Sequence, residues 1–321
     1  MFAAYAARFD QDHPLEALEL GDRPEPRDLP PDWTVVDVRA ASLNHHDLWT
    51  LRGVGLGEEA LPMILGCDAA GVDPEGNEVV IHSVIGATGH GVGPNERRSL
   101  LTEKYQGTFA QRVAVPRWNV LPKPPELSFE EAACLPTAWL TAYRMLFTGA
   151  RVKPGDTVLV QGAGGGVATA AIVLGAAAGL RVFVTSRDET KRRRAVELGA
   201  EDAFPSGARL PRRVDAVLET VGAATWSHSV KSLRPGGTLV ISGATSGQKP
   251  PSAELNRIFF LELSVVGVTM GTREELASLL SLCASTGVRP LIDTVLPLER
   301  AVEGFTRMAH GSVFGKIVLT P

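Results

Sequence analysis

The residues with the plainest chemical meaning are the glycines of Gly162-Ala163-Gly164-Gly165-Gly166. They stand between a short apolar run, Thr157–Gln161 (TVLVQ), and an alanine-rich stretch reaching about Gly179. A strand that enters a glycine turn and leaves as a helix can hold a pyrophosphate. The glycines let the backbone come close, and the helix start supplies free N–H donors and the positive end of its dipole. The GxGxxG spacing is not intact, because Val167 occupies the third glycine place; Gly162, Gly165 and Ala168 fit a related spacing better. A plain tight strand–helix connection is the bland alternative, but the strand–glycine–helix order favours a dinucleotide. Gly162, Gly164, Gly165, Gly166 and Val167 are therefore cofactor-binding candidates.

The next apolar run, Arg181–Thr185 (RVFVT), ends in Ser186-Arg187, and Lys191 follows one helical turn later. A carboxylate at this strand end would bind the ribose hydroxyls of NAD. None stands there, and Asp188 comes two residues after Ser186. Ser186 can donate to a phosphate, and Arg187 and Lys191 can pair with it. One charge-assisted contact is worth about 1.5–3 kcal/mol, roughly ten- to a hundredfold in affinity. The expected cofactor is NADP(H). Arg192–Arg194 read as a solvated helix face.

Elements that would carry these residues can be read around them. Thr34–Ala41, Glu78–Val84 and Phe109–Val115 alternate as strands, separated by turn-forming Gly, Pro, Asp and Asn, and suggest a partly closed β-barrel. Pro122, Pro124 and Pro125 mark a boundary, and Ser128 with Glu131 forms a capping-box pattern. Beyond it, the strands Thr157–Gln161, Arg181–Thr185, Val214–Glu219, Thr238–Ser242 and Leu263–Thr269 alternate with helical segments, including Glu189–Leu198, as in a parallel α/β sheet. The tail returns to mixed texture: Arg273–Ala284 helical, Arg289–Leu296 a strand, Leu298–Met308 helical and Gly315–Leu319 a strand.

The chain has 321 residues, 44% hydrophobic and 21% charged, enough for one large or two medium domains with ample core. A net charge of −4 argues against a nucleic-acid partner. The cysteines Cys67, Cys134 and Cys283 are far apart, with no CxxC pair, which fits reduced thiols in a cytoplasm. MFAAYAARFD does not have the pattern of a secretory signal, and no apolar run approaches the roughly 20 residues of a membrane span. The expected partner is a small-molecule substrate.

The chain resembles the medium-chain dehydrogenase/reductase superfamily, in its quinone-oxidoreductase-like and zinc-lacking alcohol-dehydrogenase-like branches. The matching stretches run in family order: ASLNHHDLW from Ala41, PMILGCDAAG from Pro62, GTFAQ from Gly107, the glycine loop, LRPGG from Leu233 and FGKIV from Phe314. The resemblance implies a GroES-like β-barrel catalytic domain over 1–121 and a Rossmann doubly wound parallel sheet over 122–270. Residues 271–321 would return to the catalytic domain, with the active site in the cleft between the domains. It also implies a homodimer or homotetramer, often paired through the last Rossmann strand.

By motif position, the catalytic zinc ligands of zinc-containing relatives are replaced by Asn44, Cys67 and Thr137, a poor set for Zn²⁺. The place of the four-cysteine structural zinc lobe, Gly86–Gln106, has no cysteine. His45, His46, His82 and His90 match no standard metal spacing, so no metal is expected. Asn44 is a candidate to hydrogen-bond a substrate carbonyl or the nicotinamide ribose, or simply to cap a turn. His46 is a candidate proton donor or a packing histidine. His45 falls at a basic pyrophosphate contact and Asp47 at a loop-holding place. Thr141, Thr220-Val221-Gly222 and Ser242-Gly243-Ala244 fall at ribose and nicotinamide contacts. Lys316 would approach the cofactor phosphates or the surface. Cys67 reads as a buried thiol rather than a nucleophile. Trp49, Leu51, Met63, Trp139 and Met270 can serve as pocket walls or ordinary core.

Without zinc, alcohol oxidation lacks its electrophile. Reducing a quinone or an α,β-unsaturated carbonyl needs only hydrogen bonds to the developing oxyanion and a proton. That is the expected reaction. Alcohol or aldehyde reduction, and an NADPH-binding redox sensor with little turnover, are the alternatives.

Overall fold

In the computed structural model, which describes residues 1–86 and 99–321, the strand Trp33–Ser42 organises the first part of the chain. Its alternation puts Thr34, Val36, Val38 and Ala40 inside and leaves Asp37 and Arg39 in solvent. It pairs antiparallel with Asp68–Val72, Arg112–Pro116 and Lys316–Thr320. The seven-stranded sheet runs Val120–Pro122, Glu78–Ile81, Asp68–Val72, Trp33–Ser42, Lys316–Thr320, Ile292–Pro297, with Arg112–Pro116 joining off this path on Trp33–Ser42. A second sheet joins Leu18–Asp22, Phe2–Ala6 and Met63–Ile64. Both sheets contribute to one apolar cluster, in which the rings of Phe109 and Phe305 meet edge to face at 6.0 Å.

These elements form one compact unit, Met1–Leu140 with Met270–Pro321; the other is Thr141–Thr269. The first division therefore falls after Leu140, later than the proline-marked boundary at 121/122. The helix Phe129–Ala133 packs on Trp33–Ser42 and Asp68–Val72 and so stays with the first unit. Its capping box forms as expected: Ser128 Oγ accepts from Glu131 N at 3.1 Å, and Glu131 Oε2 accepts from Ser128 N at 2.9 Å.

Several strand limits differ from the sequence expectation. The run Glu78–Val84 breaks into Glu78–Ile81 and Val84–Ile85, because Asn119 Nδ2 takes the carbonyls of His82 and Val84, each at 2.7 Å. Phe109 is buried ahead of the pairing strand Arg112–Pro116. Arg289 lies outside Ile292–Pro297, its guanidinium donating to Cys283 O at 2.6 Å. Leu51, Met63 and Trp139 are buried core side chains rather than open pocket walls.

In the second unit, six parallel strands lie in the order Asp202–Phe204, Arg181–Thr185, Thr157–Gln161, Val214–Glu219, Leu233–Ile241, Ser264–Gly267. Chain order reverses between Thr157–Gln161 and Val214–Glu219, the point where doubly wound sheets hold ligands at their carboxyl ends. Thr157–Gln161 is buried along its whole length, as an interior parallel strand requires. The helix Gly166–Ala177 packs on it and on Arg181–Thr185. Small residues permit this approach: a Cβ on Gly175 would lie 2.8 Å from Val182 Cγ2.

Candidate functional site

In the first unit the C-terminal strand returns Lys316 beside the start of the Asn44 turn, with Leu43 N donating to Ile317 O at 3.0 Å. Lys316 is 2% exposed. Its ammonium donates to Leu43 O at 2.6 Å and Asn44 Oδ1 at 2.7 Å, and pairs with Asp68 Oδ2 at 3.4 Å. Asp68 is 0% exposed, and the same oxygen accepts from Ser42 Oγ at 2.9 Å and Asn44 Nδ2 at 2.8 Å. Asp68 Oδ1 is buried with no partner among the described residues.

This arrangement corrects two expectations. All three ammonium protons of Lys316 are engaged inside the first unit, so it serves neither a cofactor phosphate nor the surface. Asn44 uses both amide protons, on Asp68 and on Ser42 O at 3.3 Å, and has none for a substrate carbonyl. Its side chain also belongs to the capping box that starts the helix His45–Leu51, in keeping with the turn-capping alternative.

His46 is half-buried, and its Nε2 lies 2.9 Å from Thr102 Oγ1. Burial lowers its pKa, partly opposed by the carboxylates of Glu103 and Asp68. Thr102 adopts a φ of +75°, uncommon for a β-branched residue, and its hydroxyl also faces Cys67 Sγ at 3.8 Å and Thr50 Oγ1 at 3.4 Å. His45, just before it in the chain, is exposed.

The residues at the metal places do not suit zinc. The amide oxygen of Asn44 receives an ammonium group, Thr137 offers a neutral hydroxyl, and burial holds the Cys67 thiol well above its ordinary pKa. Cys134 and Cys283 are pushed up to about 12 by burial. His82 donates from Nε2 to Gly271 O at 3.0 Å. Among the described residues no cluster of His, Cys, Asp or Glu is placed to hold a metal. His90, within 87–98, lies outside them.

Asp47 holds the turn, as expected. Its carboxylate accepts from Asn44 N at 2.7 Å and Gly66 N at 3.1 Å. Burial raises its carboxyl from 3.8 to about 7, against the pull of those N–H groups. The folded chain therefore keeps this proton more tightly than the unfolded chain. Stability from Asp47 is fully present below about pH 4 and is lost as pH rises through about 7, a change of about 4 kcal/mol. Asp47→Asn removes the titration, so its unfolding free energy should fall less than the wild type's across that window. Parallel urea titrations along a pH series check this; equal slopes would remove Asp47 as the source.

In the second unit Gly162 turns the chain at a φ of +86°, which glycine adopts without steric cost. Gly165 stands at the N-cap of Gly166–Ala177, and a Cβ built on it meets none of the described residues within 4 Å. Open space over unblocked helix N–H groups, Gly166 and Val167 among the first, fits a pyrophosphate. Gly164 is buried in the turn, and Ala168 packs the helix start at 6% exposure.

At the neighbouring strand end, Ser186 is buried at 9% exposure and Arg187 is exposed. Lys191 N donates to Asp188 Oδ1 at 3.0 Å, so this nearest carboxylate caps the helix Glu189–Glu197. That bond also lowers its pKa. Arg192 is not merely a solvated side chain, since its Nη1 donates to Ser186 O at 2.8 Å and clasps the turn.

Thr220-Val221-Gly222 and Ser242-Gly243-Ala244 meet at the same sheet edge. Ser246 N donates to Val221 O at 2.7 Å, Thr245 N to Thr220 O at 3.2 Å and Ser242 N to Glu219 O at 3.1 Å. Gly222 has a φ of +91°, and a Cβ there would lie 2.6 Å from Gly247 O. Ser242 Oγ turns to Met145 Sδ at 3.1 Å. Thr141 is buried at the start of this unit. Sequence reasoning missed Asp68 and Glu219, both 0% exposed. Each is a carboxylate bordering an apolar strand, a signal of a buried, hydrogen-bonded charge.

Residues 30–125 match the model of the alcohol dehydrogenase GroES-like domain, and residues 166–285 that of the zinc-binding dehydrogenase. A crystal structure of an NAD-dependent alcohol dehydrogenase is 34% identical, superposes with a TM-score of 0.91 and is covered completely, as is this chain. The quinone oxidoreductase of Mus musculus is 28% identical over 89% of this chain and 88% of its own length. The 2-octenoyl-CoA carboxylase reductase CinF, solved with NADP and 2-octenoyl-CoA, is 25% identical, with a TM-score of 0.87, over 99% of this chain and 87% of its own. The chain also matches lovastatin diketide synthase lovF of Aspergillus terreus at 28% identity, spanning 12% of that protein's length.

Proposed function

The chain belongs to the medium-chain dehydrogenase/reductase superfamily, and from that premise we propose that it is an NADP(H)-dependent, zinc-independent reductase of quinones or α,β-unsaturated carbonyls. The observation that carries this reading is the buried ammonium of Lys316, held by Asp68 and by Asn44, a residue that by motif position replaces a zinc ligand. A cation with all its protons engaged offers no open coordination place to polarise an alcohol. An enone or quinone makes a smaller demand, for hydrogen bonds to the developing oxyanion and one proton. When bound, NADPH supplies the hydride.

The chain's own residues do the rest. The open helix start at Gly165 and Gly166 binds the pyrophosphate, and Ser186, Arg187 and Lys191 read the adenosine phosphate. Thr220–Gly222 and Ser242–Ala244 bound the nicotinamide half. His46 is the half-buried titratable group of the Asn44 cluster; it holds a proton on its ring and can release it to the reduced substrate. The NADP bound by CinF and the activity named for the murine quinone oxidoreductase support this reading. The NAD-dependent alcohol dehydrogenase at 34% identity favours a second one, alcohol or aldehyde conversion.

The test is loss of dihydronicotinamide absorbance with NADPH and with NADH. Acceptors are p-benzoquinone, phenanthrenequinone, a simple enone and an aldehyde, each with and without chelator. The expected result is chelator-resistant turnover of quinone or enone with a preference for NADPH. Turnover confined to the aldehyde, or abolished by chelator, would replace this reading with the second.

The working unit is proposed to be a cytoplasmic homodimer or homotetramer. Ser264–Gly267 is an edge strand, and beside it Leu255, Phe259 and Phe260 are 67%, 60% and 76% exposed. No helix among the described residues is long and apolar enough to cross a membrane. Sedimentation equilibrium should give twice or four times the chain mass, and Phe260→Glu should shift it towards monomer. A wild-type monomer at tens of micromolar would exclude the assembly.

A further inference from the structure

We propose that Glu219 is the positioning residue of the dinucleotide site, one carboxylate that sets the loops at both ends of the cofactor; this rests on the NADP(H) reading of that sheet edge. Glu219 ends the strand Val214–Glu219 and is 0% exposed. Its Oε1 accepts from Val221 N at 2.7 Å, Gly222 N at 2.9 Å and Thr225 Oγ1 at 2.9 Å. Its Oε2 accepts from Thr225 Oγ1 at 2.8 Å and Ser229 Oγ at 2.6 Å.

Two chains of hydrogen bonds leave this carboxylate, one through Oε2 and Ser229, the other through Oε1 and the backbone of Val221 and Gly222. Towards the adenosine end, Ser229 Oγ accepts from Gln161 Nε2 at 2.9 Å. Gln161 Oε1 accepts from Thr185 Oγ1 at 2.5 Å, one residue before Ser186 and two before Arg187. Gln161 Nε2 also reaches His228 Nδ1 at 2.9 Å, and His228 Nε2 donates to Ala208 O at 2.9 Å, which fixes the imidazole as an acceptor at Nδ1. Towards the nicotinamide end, the turn anchored through Val221 N and Gly222 N receives Ser246 N and Ser246 Oγ on Val221 O, each at 2.7 Å. Ala223 N returns a bond to Gly247 O at 3.0 Å. The ends of Thr157–Gln161, Arg181–Thr185 and Val214–Glu219, with the loop after Leu233–Ile241, are thus tied through one buried group.

Binding to loops already held in place costs less ordering than binding to loose ones. Glu219 touches neither half of the cofactor in this reading, so its effect passes through the loops. Glu219→Ala leaves two backbone N–H groups and two hydroxyls without their acceptor. Glu219→Gln keeps one acceptor oxygen for the backbone, and the Thr225 and Ser229 hydroxyls can rotate to accept from its amide.

The experiment measures Kd for NADPH and backbone amide exchange without nucleotide, in the full chain. Glu219→Ala should raise Kd about tenfold or more and speed exchange at Val221 and Gly222 by a similar factor, with Glu219→Gln within about threefold of wild type in both. Wild-type Kd in a folded Glu219→Ala, unchanged protection at Val221 and Gly222, or equal losses in the two variants would each overturn the proposal. Should Glu219→Ala not fold, the pair Thr225→Val with Ser229→Ala removes only the hydroxyl links. It should loosen Kd and exchange in the same direction, and no change would count against the proposal. Exchange needs no nucleotide, so a wild type that binds neither NADPH nor NADH would sink the functional reading separately from the anchoring.

Discussion

Replacing Lys316 by methionine should lower the unfolding free energy by about 3–5 kcal/mol, because it leaves the buried carboxylate of Asp68 without its counter-ion. Lys316 and Asp68 are 2% and 0% exposed, so water cannot compensate. Ser42 Oγ and Asn44 Nδ2 would still donate to Asp68 Oδ2, but both are neutral, and Oδ1 has no partner among the described residues even in the wild type. The loss should be largely recovered in Lys316→Met with Asp68→Asn, which removes both charges together. Guanidinium titrations of the wild type, the two single variants and the double form a cycle whose coupling term isolates the pair. If Lys316→Met stays within about 1 kcal/mol of wild type, the ammonium is not what balances Asp68. The idea of a built-in cation beside Asn44 would then go with it.

The second large effect is on cofactor choice. Arg187→Asp should cut kcat/KM for NADPH roughly ten- to a hundredfold, the worth of one charge-assisted contact to a phosphate, while NADH changes little or improves. The reasoning is local. Arg187 is exposed at the end of Arg181–Thr185, beside a buried Ser186. The nearest carboxylate, Asp188, is tied down as a helix cap and so is not presented to a ribose. An aspartate at 187 would repel the phosphate and supply the acceptor that ribose hydroxyls prefer. Arg192→Ala is the informative comparison, since Arg192 braces Ser186 O. It should weaken both nucleotides together by loosening the turn. Steady-state kinetics with each nucleotide, at fixed ionic strength, separates the two cases. Equal losses for NADPH and NADH in Arg187→Asp would leave the phosphate without a reader here.

Much of this molecule is legible in the chain alone because it depends on neighbours in sequence. Thr157–Gln161 and Arg181–Thr185 are strands at the very residues expected, since short β-branched runs bounded by turn residues leave little choice. The glycine turn, the Ser128 cap and the absence of a carboxylate at the Ser186 strand end are likewise local facts. What sequence could not assign was the use of side chains whose partners are distant. Lys316 and Asn44 are separated by 272 residues and meet only because Lys316–Thr320 pairs with Trp33–Ser42. An ammonium read in isolation looks like a phosphate contact or a surface charge. Once that pairing buries it, the cost of desolvation requires acceptors, and Leu43 O, Asn44 and Asp68 are what the fold provides. The same holds for Glu219, whose tie to Thr185 passes through Ser229 and Gln161 on other elements. Composition and spacing determine the strands, the turn and the class of cofactor loop. Burial, which exists only after the strands have paired, decides which polar groups remain free for a ligand and which hold the protein together.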